Sequence, residues 1–192
     1  MVTTDGHRLS KAEGQLAEGA PMVNFSMLVP HKGVGELKKV IDDARQDGKG
    51  DSGPPTIDIA TAAGCAFFRR ADLQLSVKLA DEQFPPYDKV IPQNQTKRVV
   101  ATRARLVDSL KRISLVASDK SGGVQFQIAP GTMRIVSQNP DVGEGAEELD
   151  VDYAGEALRV GFNARYLLDA LGSIPHDEVA LELSGELDPG VI

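Results

Sequence analysis

Phe84-Pro85-Pro86-Tyr87-Asp88-Lys89-Val90-Ile91-Pro92 divides this chain. Its three prolines fix φ and push the residues before them towards extended conformations, so neither a helix nor a central strand can run through. Phe84, Tyr87, Val90 and Ile91 make it too apolar for a free linker. The stretch reads as a rigid, packed connector across a domain joint, a place where ligand grooves tend to form. An ordinary proline-rich loop is the plainer alternative.

A helix followed by alternating strands recurs around the connector. Before it, Val34, Leu37, Val40, Ile41 and Ala44 share one face of a helix predicted over 34–46. Strands follow over 56–61, 65–69 and 73–79, with a turn-rich break at 47–55. Upstream, Asp5-Gly6 signals a hairpin turn, residues 10–21 read as loop, and 23–29 as a strand ended by Pro30. After the connector, a strand over 98–101 leads into a helix over 103–117, with Thr102 as its N-cap and Leu106, Leu110, Ile113 and Ala117 as its apolar stripe. Strands over 124–128 and 133–136 follow, then an acidic, glycine-rich stretch over 139–148. Strands over 149–153 and 158–162, an Asn163-capped helix over 164–171 and a strand over 179–183 complete the series. Helix-plus-strand units thus start after residues 34, 103 and 164. The expectation is an α+β fold of duplicated units, antiparallel sheets on one side and helices on the other.

Composition narrows the class. The 192 residues have room for one large or two small domains. With 41% hydrophobic and 26% charged residues, the chain is neither disordered nor membrane-embedded in character. No apolar run approaches the roughly 20 residues that span a bilayer, and Met1-Val2-Thr3-Thr4-Asp5 does not read as a signal peptide. The single Cys65 excludes an intramolecular disulfide and an all-cysteine metal site, and suits a reducing cytosol. A net charge of −7 argues against nucleic-acid binding by bulk charge, although a segregated field can hide beneath it.

No catalytic or metal constellation emerges. His7, His31 and His176 are far apart, without ligand spacing. Asp5-Gly6-His7 admits a carboxylate–imidazole pair, and hence a hydrolase reading, but also simple hairpin punctuation. The chain lacks a phosphate loop and a nucleophile elbow. No cofactor and no catalytic residue are expected. The cations say more: Lys97, Arg98, Arg103, Arg105, Lys111 and Arg112 face Asp108 alone in residues 97–112. Arg105, Asp108 and Arg112 share a helical face, and Lys32, Lys38 and Lys39 accompany the first helix. Such positions are either a solvated surface or a contact for a phosphate backbone.

Five motifs, in order, then resemble a known family. They are Thr4-Asp5-Gly6-His7-Arg8-Leu9; Val29-Pro30-His31-Lys32-Gly33; Phe84-Pro85-Pro86-Tyr87 with Val90-Ile91-Pro92; Leu149-Asp150-Val151-Asp152-Tyr153-Ala154-Gly155; and Gly161-Phe162-Asn163-Ala164-Arg165-Tyr166-Leu167-Leu168-Asp169. Together they are similar to the bacterial DNA polymerase III beta subunit, the sliding-clamp family. The resemblance implies a DNA-clamp fold with helices on the inner face and sheets outside. Residues 1–96 correspond to the later part of the family's second domain, and 97–192 to most of its third. The first domain, the start of the second and the final strand of the third have no counterpart, so both ends look cut.

The resemblance further implies a non-catalytic, cytoplasmic processivity factor, a head-to-tail homodimer encircling double-stranded DNA without reading its sequence. DNA polymerase III and the clamp loader would dock short peptides rich in Gln, Leu and Phe in a groove. Its residues here are Thr4, Gly6, His7, Arg8, Leu9, Pro85, Lys89, Val90 and Tyr166. Lys32, Lys38, Arg105 and Arg112 would face DNA, and Leu115 and Val116 the next subunit. Lys89 stands where the family often has Arg, and His31 replaces a usual Arg. The alternative is a peptide-binding α+β module without a DNA role.

Overall fold

Leu106, Leu110 and Ile113 are buried together in the computed structural model, so the three-and-four spacing of that stripe finds its core. The structure describes residues 1–16, 19, 25–47, 56–117 and 122–192. In chain order its elements are strands β1 (Val2–Thr4) and β2 (Leu9–Lys11), helix α1 (His31–Asp47), and strands β3 (Asp58–Ala62), β4 (Cys65–Arg70) and β5 (Leu73–Lys78). Then come β6 (Lys97–Thr102), α2 (Arg103–Ser114), β7 (Gly123–Ala129), β8 (Thr132–Asn139), β9 (Gly143–Asp150), β10 (Leu158–Asn163), α3 (Ala164–Ser173) and β11 (Glu178–Leu183). Within the connector a single 3-10 turn, Tyr87–Lys89, forms directly after Pro86.

The chain divides into two compact units, one of Glu13–Pro86 and one of Met1–Ala12 with Tyr87–Ile192. In the first, β3, β4 and β5 form an antiparallel meander. Ala66, Phe68 and Val77 are its buried centre, with Val29, Leu37 and Leu75 packed around them. Helix α1 begins at His31, three residues earlier than its periodicity suggested, because the Val34 N–H bonds to the Pro30 carbonyl at 3.1 Å. Lys32 therefore lies in the first helical turn rather than before it.

The second unit has a larger core. Its four-stranded antiparallel sheet has the order β10-β7-β8-β9, and β11 pairs antiparallel with β6. Val100 and Asp152 bridge strand β6 to the chain after β9, with N···O distances of 2.8 and 3.0 Å in the two directions. Both helices pack on this framework through Leu106, Leu110, Leu167 and Leu171, against Phe126, Ile135, Val160 and Leu181. Each follows a strand directly, β6 into α2 and β10 into α3, so a strand–helix unit recurs within one core.

Several local expectations change. The acidic stretch, to which the sequence pattern assigned no strand, is mostly β9, paired with β8 from Asn139↔Gly143 to Thr132↔Asp150. Its inward-leaning positions are Gly145, Glu147 and Leu149, and only the last is apolar, which hid the period of two. The strand expected over 149–153 reduces to the end of β9 and the Asp152 bridge. Residues 9–11, placed largely in a loop, form β2. Residues 25–29 are not a strand, and 23–24 lie outside the described residues, as do 48–55 of the predicted break. Helix α2 stops at Ser114, where bonds from Leu115 and Val116 to Arg112 and Ile113 tighten the last turn. Thr102 has the extended backbone of an N-cap but makes no side-chain capping bond, whereas Asn163 makes two.

Candidate peptide groove and basic helix faces

The hairpin β1–β2 is closed by its own side chains. One Asp5 carboxylate oxygen accepts the backbone N–H groups of His7 and Arg8, both at 3.0 Å. The Thr4 hydroxyl donates to the Arg8 carbonyl at 2.8 Å and accepts from the Gly6 N–H at 3.2 Å. Gly6 has φ +87°, a conformation that suits glycine and strains most other residues. The N–H of His7, then that of Arg8, holds the Asp5 carboxyl below its ordinary value. These contacts give Asp5 a turn-closing role; the expected alternative, an Asp5–His7 ring pair, is not among them.

This hairpin rests on helix α3. The Arg8 guanidinium lies 4.5 Å above the centre of the Tyr166 ring, a cation–π geometry. The His7 ring stacks with Tyr166 at 6.2 Å between centroids and 25° between planes. Arg8 Nη1 donates to Asp169 at 2.6 Å and Nε donates to Asp5 at 3.1 Å. The Asp169 hydrogen bond, ahead of Asp5, raises the Arg8 pKa further. Tyr166 is in turn set by its helix start: Asn163 Oδ1 accepts the N–H groups of Arg165 at 2.9 Å and Tyr166 at 3.3 Å. Thr4, Gly6, His7, Arg8 and Tyr166 thus gather in one place. Leu9 stands at the start of β2, and Lys89 and Val90 lie at the connector's 3-10 turn, exposed. Pro85 is exposed and belongs to the other unit. Asp5 and Asp169 were missed as partners of Arg8. For Asp169 the signal was its place three residues after Tyr166, on the same helix face.

The cations differ in how committed they are. Arg105 is exposed on α2. Arg112 is held by Glu147 of β9 in a two-point fork, Nε to Oε1 at 2.6 Å and Nη2 to Oε2 at 2.8 Å. That fork raises the Arg112 pKa and lowers that of Glu147, its hydrogen bonds outweighing the charge attraction in each. On α1, Lys38 pairs with Asp42, and Lys32 is exposed. Leu115, just past α2, is 80% exposed, which its apolar character does not explain within the unit. Val116 is half-buried against Gly145 of β9. Among the described residues no group of His, Cys, Asp and Glu could hold a metal ion, and no helix is long and apolar enough to cross a membrane.

The model of the DNA polymerase III beta subunit central domain matches residues 1–86, and that of its C-terminal domain residues 88–192. The beta sliding clamp of Proteus mirabilis is 34% identical over 183 residues, covering 95% of this chain and 47% of that protein. The clamp of Caulobacter vibrioides is 30% identical over 191 residues, covering 100% and 49%. Among solved structures, the Caulobacter crescentus clamp superposes with a TM-score of 0.86 at 31% identity, covering 98% of this chain and 48% of that one. The Bartonella birtlesii clamp bound to griselimycin gives 0.82 at 30%, covering 98% and 48%. The chain spans about half the length of the relatives it matches. With two family models meeting at the connector and collinear similarity on both sides of it, the chain belongs to the DNA polymerase III beta subunit family.

Proposed function

We propose that this chain is part of a DNA sliding clamp, a processivity factor that encircles duplex DNA and tethers DNA polymerase III and other replication proteins. Residues 1–96 then supply second-domain structure and residues 97–192 the third domain. The reading is of a non-catalytic, cytoplasmic protein. The observation that carries it is the hairpin Val2–Lys11 seated on Tyr166 through His7 and Arg8. An aromatic face held by rigid neighbours is what an apolar peptide anchor needs. Thr4, Gly6, Leu9, Lys89 and Val90 complete the proposed groove. For DNA, exposed Arg105 and Lys32 are the strongest contacts. Arg112 and Lys38 are already paired, and each would have to share or exchange its carboxylate for a phosphate. Exposed Leu115, with Val116, forms the proposed subunit contact of a head-to-tail dimer.

The groove is tested by fluorescence anisotropy with a short labelled peptide rich in Gln, Leu and Phe. Saturable binding that Tyr166→Ala abolishes supports the reading. Binding that survives Tyr166→Ala places the peptide elsewhere. Retention of the full-length protein on circular DNA, lowered by Arg105→Glu, tests the DNA role. Indifference to that reversal would favour a peptide-binding module with no DNA role.

A further inference from the structure

Arg103 opens helix α2, and its charge stands at the wrong end of that helix. A helix N-terminus is the positive end of the macrodipole and favours carboxylates, yet the first turn of α2 has no acidic residue. Helix α3 has the opposite deficit. Its last turn has no basic residue, and the residue four beyond Leu171 is Pro175, which has no N–H to give the Leu171 carbonyl. Leu171 is fully buried, so water does not serve that carbonyl, and a buried carbonyl without a donor is costly. The two deficits meet in space. Arg103 Nη1 donates to the Leu171 carbonyl at 3.5 Å, and Nε to the His176 carbonyl at 2.7 Å. In the same place the Arg103 backbone N–H donates to the Asp177 carbonyl at 2.8 Å. The turn after α3 therefore starts α2, and the first side chain of α2 closes α3.

We infer that Arg103 is a positioning residue: it supplies the donor that Pro175 withholds from α3, links the ends of the two helices, and so places the turn of α2 that carries Arg105. A guanidinium suits this task because its planar fork reaches two carbonyls at once, whereas an ammonium is a single point. Arg103 is half-buried, and its bonds to Leu171 and His176 aim that fork at α3 and the turn after it. The basic run over 97–112 thus includes a cation whose first task is to hold the framework of the others. What Arg103 does for DNA passes through Arg105, and that part rests on the DNA reading given above. The link between the helices does not.

The test uses the whole chain with Arg103→Ala, Arg103→Lys and Pro175→Ala, the last alone and with Arg103→Ala. In the free protein, amides in the last turn of α3 should exchange about two- to fivefold faster in Arg103→Ala, the scale of a charge at a helix end. Arg103→Lys keeps the charge but loses the fork, and should recover only part of that protection. Pro175→Ala returns an N–H four residues after Leu171, so it should shrink the cost of Arg103→Ala. Unchanged exchange in Arg103→Ala, or a cost that Pro175→Ala leaves the same, overturns the link. Anisotropy of a short labelled DNA duplex at low salt then tests the positioning. Arg103→Lys should weaken binding, by no more than the factor seen in exchange, and should add nothing to the loss from Arg105→Ala. A direct phosphate contact predicts the reverse, because lysine also serves phosphate and the two losses would add. If Arg103→Lys binds the duplex like wild type, the positioning of Arg105 is refuted while the link stands. If the wild-type chain does not bind the duplex, the DNA reading fails and the positioning with it, and exchange alone decides the link.

Discussion

The two strand-to-helix junctions make a controlled experiment. Thr102 and Asn163 occupy the same position, each the last residue of a strand and the residue before a helix. Both are good N-cap types by sequence. In the structure only Asn163 caps, accepting the Arg165 and Tyr166 N–H groups. The start of α2 is held instead by backbone, with the Arg103 N–H donating to the Asp177 carbonyl at 2.8 Å. Replacing a working cap by alanine costs about 1 kcal/mol, and replacing it by glycine only a few tenths. Asn163→Ala should therefore destabilise by about 1 kcal/mol, a fall in Tm of about 2–4 °C for a chain of this size. Thr102→Ala should leave Tm nearly unchanged. Urea unfolding gives the global comparison, and amide hydrogen exchange gives the local one. A loss of about 1 kcal/mol raises exchange at the Arg165 and Tyr166 amides roughly fivefold where opening is local. Because Tyr166 belongs to the proposed groove, peptide affinity should fall in Asn163→Ala as well. Equal costs at the two junctions, or unchanged exchange in Asn163→Ala, would refute the assignment.

Other outcomes follow from single contacts. Leu110→Ala, at a fully buried position of the larger core, should cost about 2–5 kcal/mol in urea unfolding. A Cβ at Gly155 would lie 2.5 Å from the Tyr153 hydroxyl, which donates to the Glu156 carbonyl at 2.6 Å. Gly155→Ala should therefore lose about 1–3 kcal/mol by overpacking, seen as a lowered unfolding midpoint. Asp5 titrates below its ordinary value because folding gives its carboxylate the His7 and Arg8 N–H groups. Its contribution to the hairpin is present above the unfolded carboxylate value and lost as pH falls through the depressed folded value. Acid titration followed by the Gly6 and His7 amide signals should show that loss, and Asp5→Asn should flatten it. Leu115→Ser, at an 80% exposed site, should leave unfolding unchanged while weakening the proposed subunit contact, read as self-association in sedimentation.

Much of this protein is determined locally, and so was legible in its residues. Helices α2 and α3 follow from the spacing of Leu106, Leu110 and Ile113 and from Asn163 before Ala164, because periodicity and capping act within a turn or two. The hairpin at Asp5-Gly6 follows from the same short-range chemistry. The proposed groove residues Thr4, Gly6, His7, Arg8, Leu9 and Tyr166 came from motif resemblance, since no local rule brings residue 8 to residue 166. What only the tertiary structure decided are the partners that sequence distance hides. Strand β9 exists because β8 pairs along its length, although Gly145 and Glu147 fill inward positions that an apolar pattern would need. Thr102 fails to cap while Asn163 succeeds, a choice made by the surroundings of each junction rather than by residue type. Arg112 is bound to Glu147, and Arg8 is seated between Asp5, Asp169 and Tyr166. A charge in a sequence has no partner until folding brings one within about 3 Å.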